Sequence, residues 1–182
     1  MLYIIRHGKT DWNALHKLQG RTDVPLNREG RRMAEAARES CRDVHFDVCF
    51  CSPLIRARET AEILLQDRNI PILTDERLME ISFGSYEGVE NCFQRPDCPV
   101  SVLFRAPEKY ISPPGAESLD DLFARTGAFL RERADPLLAA GMAVLIVGHG
   151  VMNSSIVCQV RNLPREQFWS AGIENCRLLK LA

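Results

Sequence analysis

Four side chains that could together handle a phosphate group stand at the ends of apolar segments: Arg6, His7, Arg56 and His149. A histidine and an arginine side by side at the end of a buried strand cost stability unless a ligand or a reaction uses them. Neutral imidazole can act as a nucleophile or as a base, and guanidinium groups bind phosphate oxygens. These residue types therefore predict a site where an imidazole meets a phosphate group.

Arg56 lies in the segment Ser52-Pro53-Leu54-Ile55-Arg56, which follows another apolar run. It falls in the first turn of an expected helix, where a positive side chain opposes the helix dipole. A bound anion would reverse that cost, because helix N-termini and arginine both favour phosphate. Arg58 is on a different face, and we expect it to be a solvated or ion-paired surface side chain.

The candidate proton donor is Glu80, which stands between Met79 and Ile81. A partly buried carboxyl group among apolar neighbours could hold its proton near neutral pH and act as an acid. Glu87 is a competitor for this role, although it precedes a glycine in a turn-like setting and could be structural.

These side chains need a scaffold, and short apolar runs that alternate with helical patterns predict an α/β fold. We expect a three-layer α/β/α sandwich with a mostly parallel central sheet, in which ligands bind beyond the carboxyl ends of the strands. Neighbouring strands lie about 4.8 Å apart, so His7 and His149 would face one pocket if their strands are adjacent. The predicted strands are Leu2 to Arg6, Asp47 to Cys51, Ile70 to Thr74, Ala143 to Gly148 and Arg177 to Leu181.

Several helix boundaries are predicted from local chemistry. Ser52 is expected to be an N-cap with Pro53 at the first helical position, and Ser118 with Asp121 resembles an acidic capping box. Pro136 should end or kink its helix near Ala134. The predicted helices run from about Asn27 to Cys41, Pro53 to Gln66, Ser118 to Ala140 and Val151 to Gln159.

The whole chain, residues 1–182, is expected to be one domain with a single irregular insertion at about 84–115. That stretch contains five prolines, which break any long periodicity, and several apolar residues. Such a composition indicates a packed lid or substrate wall over the carboxyl ends of the strands.

The overall charge limits the classes of partner. The chain has 23 Lys and Arg against 24 Asp and Glu, a formal net charge of −1. This balance gives no basic excess for nucleic acid or for an anionic membrane surface. The longest apolar run is far shorter than the roughly 20 residues that cross a bilayer. With no basic leader at the N-terminus, we expect a cytoplasmic protein.

The seven cysteines are expected to be reduced and mostly buried. An odd number, no CxxC pair and no export signal argue against a disulfide framework and against a metal site.

Taken together, these segments resemble the histidine phosphatase superfamily, in the branch of phosphoglycerate mutase-like phosphatases. The resemblance spans nearly the whole chain. The matching strings are Arg6-His7-Gly8-Lys9-Thr10-Asp11-Trp12-Asn13, Ser52-Pro53-Leu54-Ile55-Arg56-Ala57, Glu80 with Phe83-Gly84-Ser85-Tyr86-Glu87-Gly88, Pro114-Gly115-Ala116-Glu117-Ser118-Leu119 and Gly148-His149-Gly150.

The resemblance implies that His7 attacks phosphorus and that Arg6, Arg56 and His149 surround the phosphoryl oxygens. Glu80 would protonate the leaving oxygen and then activate water. The resemblance also implies that four further residues bind the phosphate group: Asn13, Gln19, Gly20 and Gly150. It implies no metal ion and no other cofactor.

The resemblance favours a phosphatase that acts on a small phosphorylated metabolite, such as a broad phosphomonoesterase or the phosphatase of the cobalamin nucleotide-loop pathway. A cofactor-dependent phosphoglycerate mutase is the first alternative, and a catalytically weak phospho-ligand-binding regulatory protein is the second. A homodimer stays open, as does the question of whether Asn153 reaches the pocket.

Overall fold

The computed structural model describes residues 1–182 and contains one five-stranded sheet in the order β3-β2-β4-β1-β5. Strands β1, β2, β3 and β4 are parallel, whereas β5 runs antiparallel to β1. All five predicted strands are confirmed, with ends that differ from the predicted ones by at most two residues. The strands are β1 (Leu2–Arg6), β2 (Val48–Cys51), β3 (Ile72–Thr74), β4 (Val144–Gly148) and β5 (Leu178–Lys180).

Helices cover both faces of the sheet, so the expected three-layer α/β/α arrangement is confirmed. Alternate strand residues point into two separate cores, because successive side chains of a strand face opposite sides. Ile4 and Ile146 belong to one core, whereas Ile5 and Val147 belong to the other. The helices are α1 (Asp11–Ala14), α2 (Arg28–Ser40), α3 (Ile55–Leu64), α4 (Ser101–Arg105), α5 (Leu119–Phe129), α6 (Asp135–Ala139) and α7 (Gly150–Arg161).

The expected start of α3, with Ser52 as N-cap and Pro53 as the first helical residue, is wrong. The helix begins at Ile55, with Leu54 in the cap position, and Ser52 Oγ instead accepts a hydrogen bond of 3.3 Å from Leu54 N. The first helical N–H, that of Ile55, donates to Asp23 Oδ1 at 2.7 Å. The Asp23 carboxylate, from a distant loop, therefore accepts the hydrogen bond of the first helical N–H in place of the predicted serine cap.

The predicted helix from Ser118 to Ala140 is present but interrupted. Ser118 Oγ accepts from Asp121 N at 3.1 Å, as a cap should, and it also donates to the Asp121 carboxylate. Between α5 and α6 the chain forms a π-helix over Leu130–Ala134. This change precedes Pro136, which lacks an N–H and clashes with the preceding turn, so near Ala134 the helix changes its hydrogen-bonding pattern and continues, rather than ending there as one form of the prediction had it.

The insertion at 84–115 is packed against the main core through buried Cys92, Cys98, Val100 and Leu103. Contrary to the expectation of reduced thiols, Cys92 and Cys98 form a disulfide. Their Cα atoms lie 5.5 Å apart, within the usual range for a disulfide, because the chain turns back on itself over the sequence separation of six residues between them. The other five cysteines are free. None of the helices combines the length and apolar character that a bilayer crossing needs.

Candidate active site

The two histidines meet at the carboxyl edge of the sheet. Strands β1 and β4 are neighbours, with Arg6 opposite Gly148, so the residues that follow each strand emerge side by side. The ring centroids of His7 and His149 lie 5.1 Å apart, and both side chains are buried. The sequence therefore placed this pair correctly.

His7 presents Nε2 to the cavity. Its Nδ1 lies 2.6 Å from the carbonyl oxygen of Gly8, which can only accept, so Nδ1 carries the proton and Nε2 keeps its lone pair. Burial, with the charges of Arg56 and Arg6 in addition, holds the pKa of His7 well below its usual range. The ring is consequently neutral at pH 7, as a nucleophile must be.

Gly8 allows this turn to pass close to helix α2. A Cβ atom built on Gly8 would lie 2.4 Å from the carbonyl oxygen of Gly30, so any larger residue would displace the backbone beside His7. The N–H of Gly8 donates to Thr60 Oγ1 at 3.0 Å, which fixes the turn from the side of α3.

Arg56 is fully buried in the first turn of α3, where the sequence placed it. Its Nη1 and Nη2 donate to the carbonyl oxygens of Thr22 (2.8 Å) and Gly20 (2.7 Å). Burial lowers the pKa of Arg56 to about 10, while the charge of Glu80 acts in the opposite direction. The guanidinium group therefore stays positive at neutral pH and is held in one orientation.

Several buried polar atoms around His7 have no hydrogen-bond partner in the chain. They are Nε of Arg6, Nε of Arg56 and both ring nitrogens of His149. Burial, and then the charge of Arg56, holds the pKa of His149 well below its usual range, so this ring is also neutral. Unpartnered buried groups are costly, and a tetrahedral oxyanion has acceptors for the two guanidinium N–H groups and for the single N–H of the neutral His149 ring.

Glu80 is buried, as expected, but its carboxyl group is held by backbone N–H groups rather than enclosed by apolar side chains alone. Oε1 accepts from Ile81 N (3.0 Å) and Met152 N (2.9 Å), and Oε2 accepts from Val151 N (3.1 Å). Two of these donors belong to the first turn of α7. Oε1 has both acceptor positions filled, so Oε2 is the oxygen with room for a proton or a water molecule.

Glu87 has the structural role that the sequence left open. Its Oε1 accepts from Arg21 N (3.0 Å) and Phe83 N (3.1 Å), and its Oε2 accepts from the N–H (2.9 Å) and hydroxyl (2.5 Å) of Thr22. Glu87 does not line the cavity. It fastens the loop that carries the Arg56 acceptors to the segment that follows Glu80.

The four other expected phosphate-binding residues, Asn13, Gln19, Gly20 and Gly150, all line the cavity. Thr10 occupies the side-chain oxygens of Asn13 and Gln19, which leaves their NH₂ groups without a partner in the chain. The backbone N–H groups of Gly20 and Gly150 also donate to no atom of the chain. Each of the four could therefore donate to an anion in the cavity.

Asn153 and Arg58 lie outside the main cavity. The Asn153 amide is fully buried without partners and lines a small neighbouring cavity with Arg6. Arg58 is exposed and lies 3.9 Å from Glu62, which confirms the expected surface ion pair.

Sequence reasoning missed two groups of residues around the site. First, Arg21 Nε (3.3 Å) and Arg125 Nη2 (3.2 Å) donate to the carbonyl oxygen of Glu80, and both arginines pair with Glu117. Second, the cavity of about 270 Å³ has an aromatic outer wall of Phe83, Phe93, Phe104 and Trp169. No local pattern reveals either group, since their members come together only through tertiary packing. No group of three or more His, Cys, Asp or Glu side chains has an arrangement that could hold a metal ion.

Residues 2–182 match the family model of the histidine phosphatase superfamily (branch 1), and the chain belongs to this family. A 2,3-bisphosphoglycerate-dependent phosphoglycerate mutase 2 of Gloeobacter violaceus is 34% identical over 97% of this chain and 82% of its own length.

Two solved structures show the same fold. Bacillus stearothermophilus YhfR has a TM-score of 0.83 and 34% identity, over 93% of this chain and 83% of its own. The α-ribazole phosphatase of Shigella flexneri has a TM-score of 0.82 and 26% identity, over 97% and 87%. The chain is therefore a histidine phosphatase superfamily enzyme of the phosphatase or mutase type.

Proposed function

We propose that this enzyme hydrolyses phosphomonoesters of a small metabolite through a phosphohistidine on His7, without a metal ion. The observation that carries the proposal is the convergence of unpartnered donors from Arg6, Arg56 and His149 on a neutral histidine whose Nε2 lone pair is free. Such an arrangement suits a phosphoryl group in flight, because the donors are already oriented and shielded from water.

The first step forms the N–P bond between His7 Nε2 and phosphorus and breaks the ester P–O bond. A proton from Glu80 Oε2 passes to the leaving alkoxide, which departs as the alcohol. In the second step the Glu80 carboxylate takes a proton from water, the oxygen of that water attacks phosphorus, and the N–P bond breaks. Inorganic phosphate leaves, and His7 and Glu80 return to their starting states.

The phosphate-binding role extends to Asn13, Gln19, Gly20 and Gly150. Their unpartnered N–H groups add neutral donors around the two arginines. Neutral donors bind phosphoryl oxygens without adding to the positive charge that, together with burial as the larger cause, holds the pKa of His7 below its usual range.

The second candidate is a phosphoglycerate mutase, which the 34% identical relative favours. A mutase must hold a carboxylate beside the phosphate and return the phosphoryl group to the product. Four of the side chains that line the cavity are aromatic, and the Nζ of its lysine, Lys17, lies 3.5 Å from Glu90 Oε1. Because its lysine is already paired, this lining offers no free lysine to the carboxylate of a phosphoglycerate, which favours transfer of the phosphoryl group to water.

Phosphate release from a panel of phosphometabolites, with a chelator present, tests the proposal. The wild-type enzyme should release phosphate from at least one ester, and H7A should release none. The matched control is H45A, which removes an exposed histidine that pairs with Asp47 and should leave turnover unchanged. Phosphate binding without turnover on any ester would instead support a phospho-ligand-binding regulatory protein.

A separate assay distinguishes the mutase. With 3-phosphoglycerate and added 2,3-bisphosphoglycerate, we expect free phosphate and no rapid interconversion of phosphoglycerates. Rapid interconversion with little free phosphate would establish the mutase and contradict the hydrolase.

A further inference from the structure

Away from the buried His7 and Arg56, the cavity lining is partly exposed and includes aromatic rings that pack on one another, beside His16 and Lys17; we call this part the outer half. Phe104 is their centre: its ring centroid lies 5.9 Å from that of Phe93, 6.3 Å from that of Phe83 and 5.6 Å from that of Trp169. The rings of Phe104 and Trp169 are stacked, with an angle of 15° between their planes. The four side chains form a continuous wall, which we call the aromatic wall.

The aromatic wall is held from behind. Trp169 Nε1 donates to the carbonyl oxygen of Leu103 at 2.9 Å, so the polar atom of the indole is already satisfied. Leu103 is itself buried in the main core, and Phe93 follows Cys92 of the disulfide. The rings therefore offer the cavity apolar surface and no hydrogen-bond donor of their own.

The charged groups of the outer cavity are compensated. Lys17 Nζ lies 3.5 Å from Glu90 and 5.9 Å from the ring centroid of Trp12. Arg21 does not line the cavity and is engaged with Glu117 and the carbonyl oxygen of Glu80. Apart from His16, no uncompensated basic side chain faces the outer half, so a second anionic group on the substrate would meet no free arginine or lysine.

We propose that the preferred substrate is the phosphomonoester of a neutral, planar aromatic alcohol, whose ring packs on the aromatic wall while the phosphate lies beside His7. This inference rests on the proposed hydrolase activity. An aromatic ring gains free energy both from burial and from packing against other rings, whereas a carboxylate at the same place loses hydration without an ion pair.

The test compares alkyl phosphates that differ in the group placed against the wall. Benzyl phosphate and 2-naphthylmethyl phosphate carry neutral rings, glycerol 1-phosphate carries none, and 3-phosphoglycerate and O-phosphoserine carry a carboxylate. In all five esters the leaving group is an alkoxide and not a phenolate, so differences in rate do not arise from the easier departure of phenols. We expect kcat/KM for 2-naphthylmethyl phosphate to exceed that for 3-phosphoglycerate by on the order of 100-fold, mainly through KM.

The variant F104A removes the centre of the wall. The ratio of kcat/KM for 2-naphthylmethyl phosphate to that for glycerol 1-phosphate should fall at least about tenfold. This ratio is independent of the fraction of enzyme that folds. The matched control is F123A, since Phe123 packs on Phe168 outside the cavity, and there the ratio should not change.

Each outcome has a definite meaning. Equal kcat/KM across the series, or preference for 3-phosphoglycerate, overturns the inference about the substrate but does not contradict the proposed hydrolase activity. An unchanged ratio in F104A overturns the role of the wall. Absence of phosphate release from every ester overturns the proposed function and this inference together.

Discussion

The carboxyl group of Glu80 sits on the N-terminus of helix α7, with Oε1 2.9 Å from Met152 N and Oε2 3.1 Å from Val151 N. The same helix begins directly after His149, so one helix end positions both the imidazole that we propose to bind phosphate and the candidate acid. The N-terminus of α7 therefore fixes the position of Glu80 relative to His149.

Replacing Glu80 by glutamine should separate these roles. E80Q lacks a transferable proton, so kcat for alkyl phosphates should fall by about 10² to 10⁴. An aryl phosphate, whose leaving group needs less help, should lose much less. The surface variant E62Q is the control and should match wild type on both. Equal losses on alkyl and aryl esters would mean that another group is the acid.

E80Q should also be less stable. Its amide NH₂ would face a backbone N–H that Glu80 now satisfies, which costs about 1–3 kcal/mol in the free energy of unfolding. Urea unfolding at pH 7 measures this loss. A free energy equal to that of wild type would show that the backbone contacts of the carboxyl group contribute nothing to stability.

The buried histidines should make stability depend on pH in a defined direction. The pKa values of His7 and His149 are lowered in the folded state, so below about pH 6.5 the unfolded chain binds protons that the folded one does not. The free energy of unfolding should therefore be unaffected by these groups above that pH and fall as the pH decreases below it.

For each histidine the contribution approaches about 1.4 kcal/mol per pH unit. Urea unfolding between pH 7.5 and 5 should show a shallower slope for H149Q than for wild type. H45A, which removes an exposed imidazole, is the matched control and should retain the wild-type slope. An identical slope in H149Q would show that His149 is protonated as readily in the folded state as in the unfolded chain.

Glu87 should behave as a clamp rather than as an acid. E87A leaves the N–H groups of Arg21, Thr22 and Phe83 without their acceptor, so the loop that orients Arg56 should loosen. We expect KM to rise and the free energy of unfolding to fall by about 1–3 kcal/mol. The dependence of kcat on the leaving group should stay as in wild type, in contrast to E80Q. A changed dependence would return Glu87 to the list of candidate acids.

The sequence correctly predicted the positions of the site residues that directly follow a strand. His7 and His149 each follow an apolar run, and the rule for parallel sheets places both at one edge. The N-terminal cap of α3 was not predictable in this way, because Asp23 approaches Ile55 from a distant loop. The same holds for Phe104, which reaches the cavity only through the packing of the insertion.

Glu80 shows the limit of reading a residue from its sequence neighbours. Its flanking apolar residues correctly predicted burial, but its hydrogen-bond donors come from α7, far along the chain. Contacts at such sequence separation depend on the completed fold, so local patterns carry no trace of them.

Arg125 links the segment that carries Glu80 to helix α5. It donates through Nη1 to Arg77 O (2.6 Å) and through Nη2 to Glu80 O (3.2 Å), while Nε and Nη2 hold the Glu117 carboxylate. A lysine retains the charge but cannot make these bonds together, since it lacks the planar fork. R125K should therefore lower kcat on alkyl phosphates by about tenfold through a displaced Glu80, because a small misplacement of a catalytic group is costly.

The leaving-group dependence shows whether Arg125 acts through Glu80. If it does, R125K should lose more activity on alkyl than on aryl phosphates, as we expect for E80Q and not for E87A. The control R131K changes an arginine of the π-helix that follows α5, and Arg131 is not among the hydrogen-bond partners of Glu80. Equal losses on both ester types in R125K would assign Arg125 a purely structural role, because a general loss of folded enzyme affects every substrate alike.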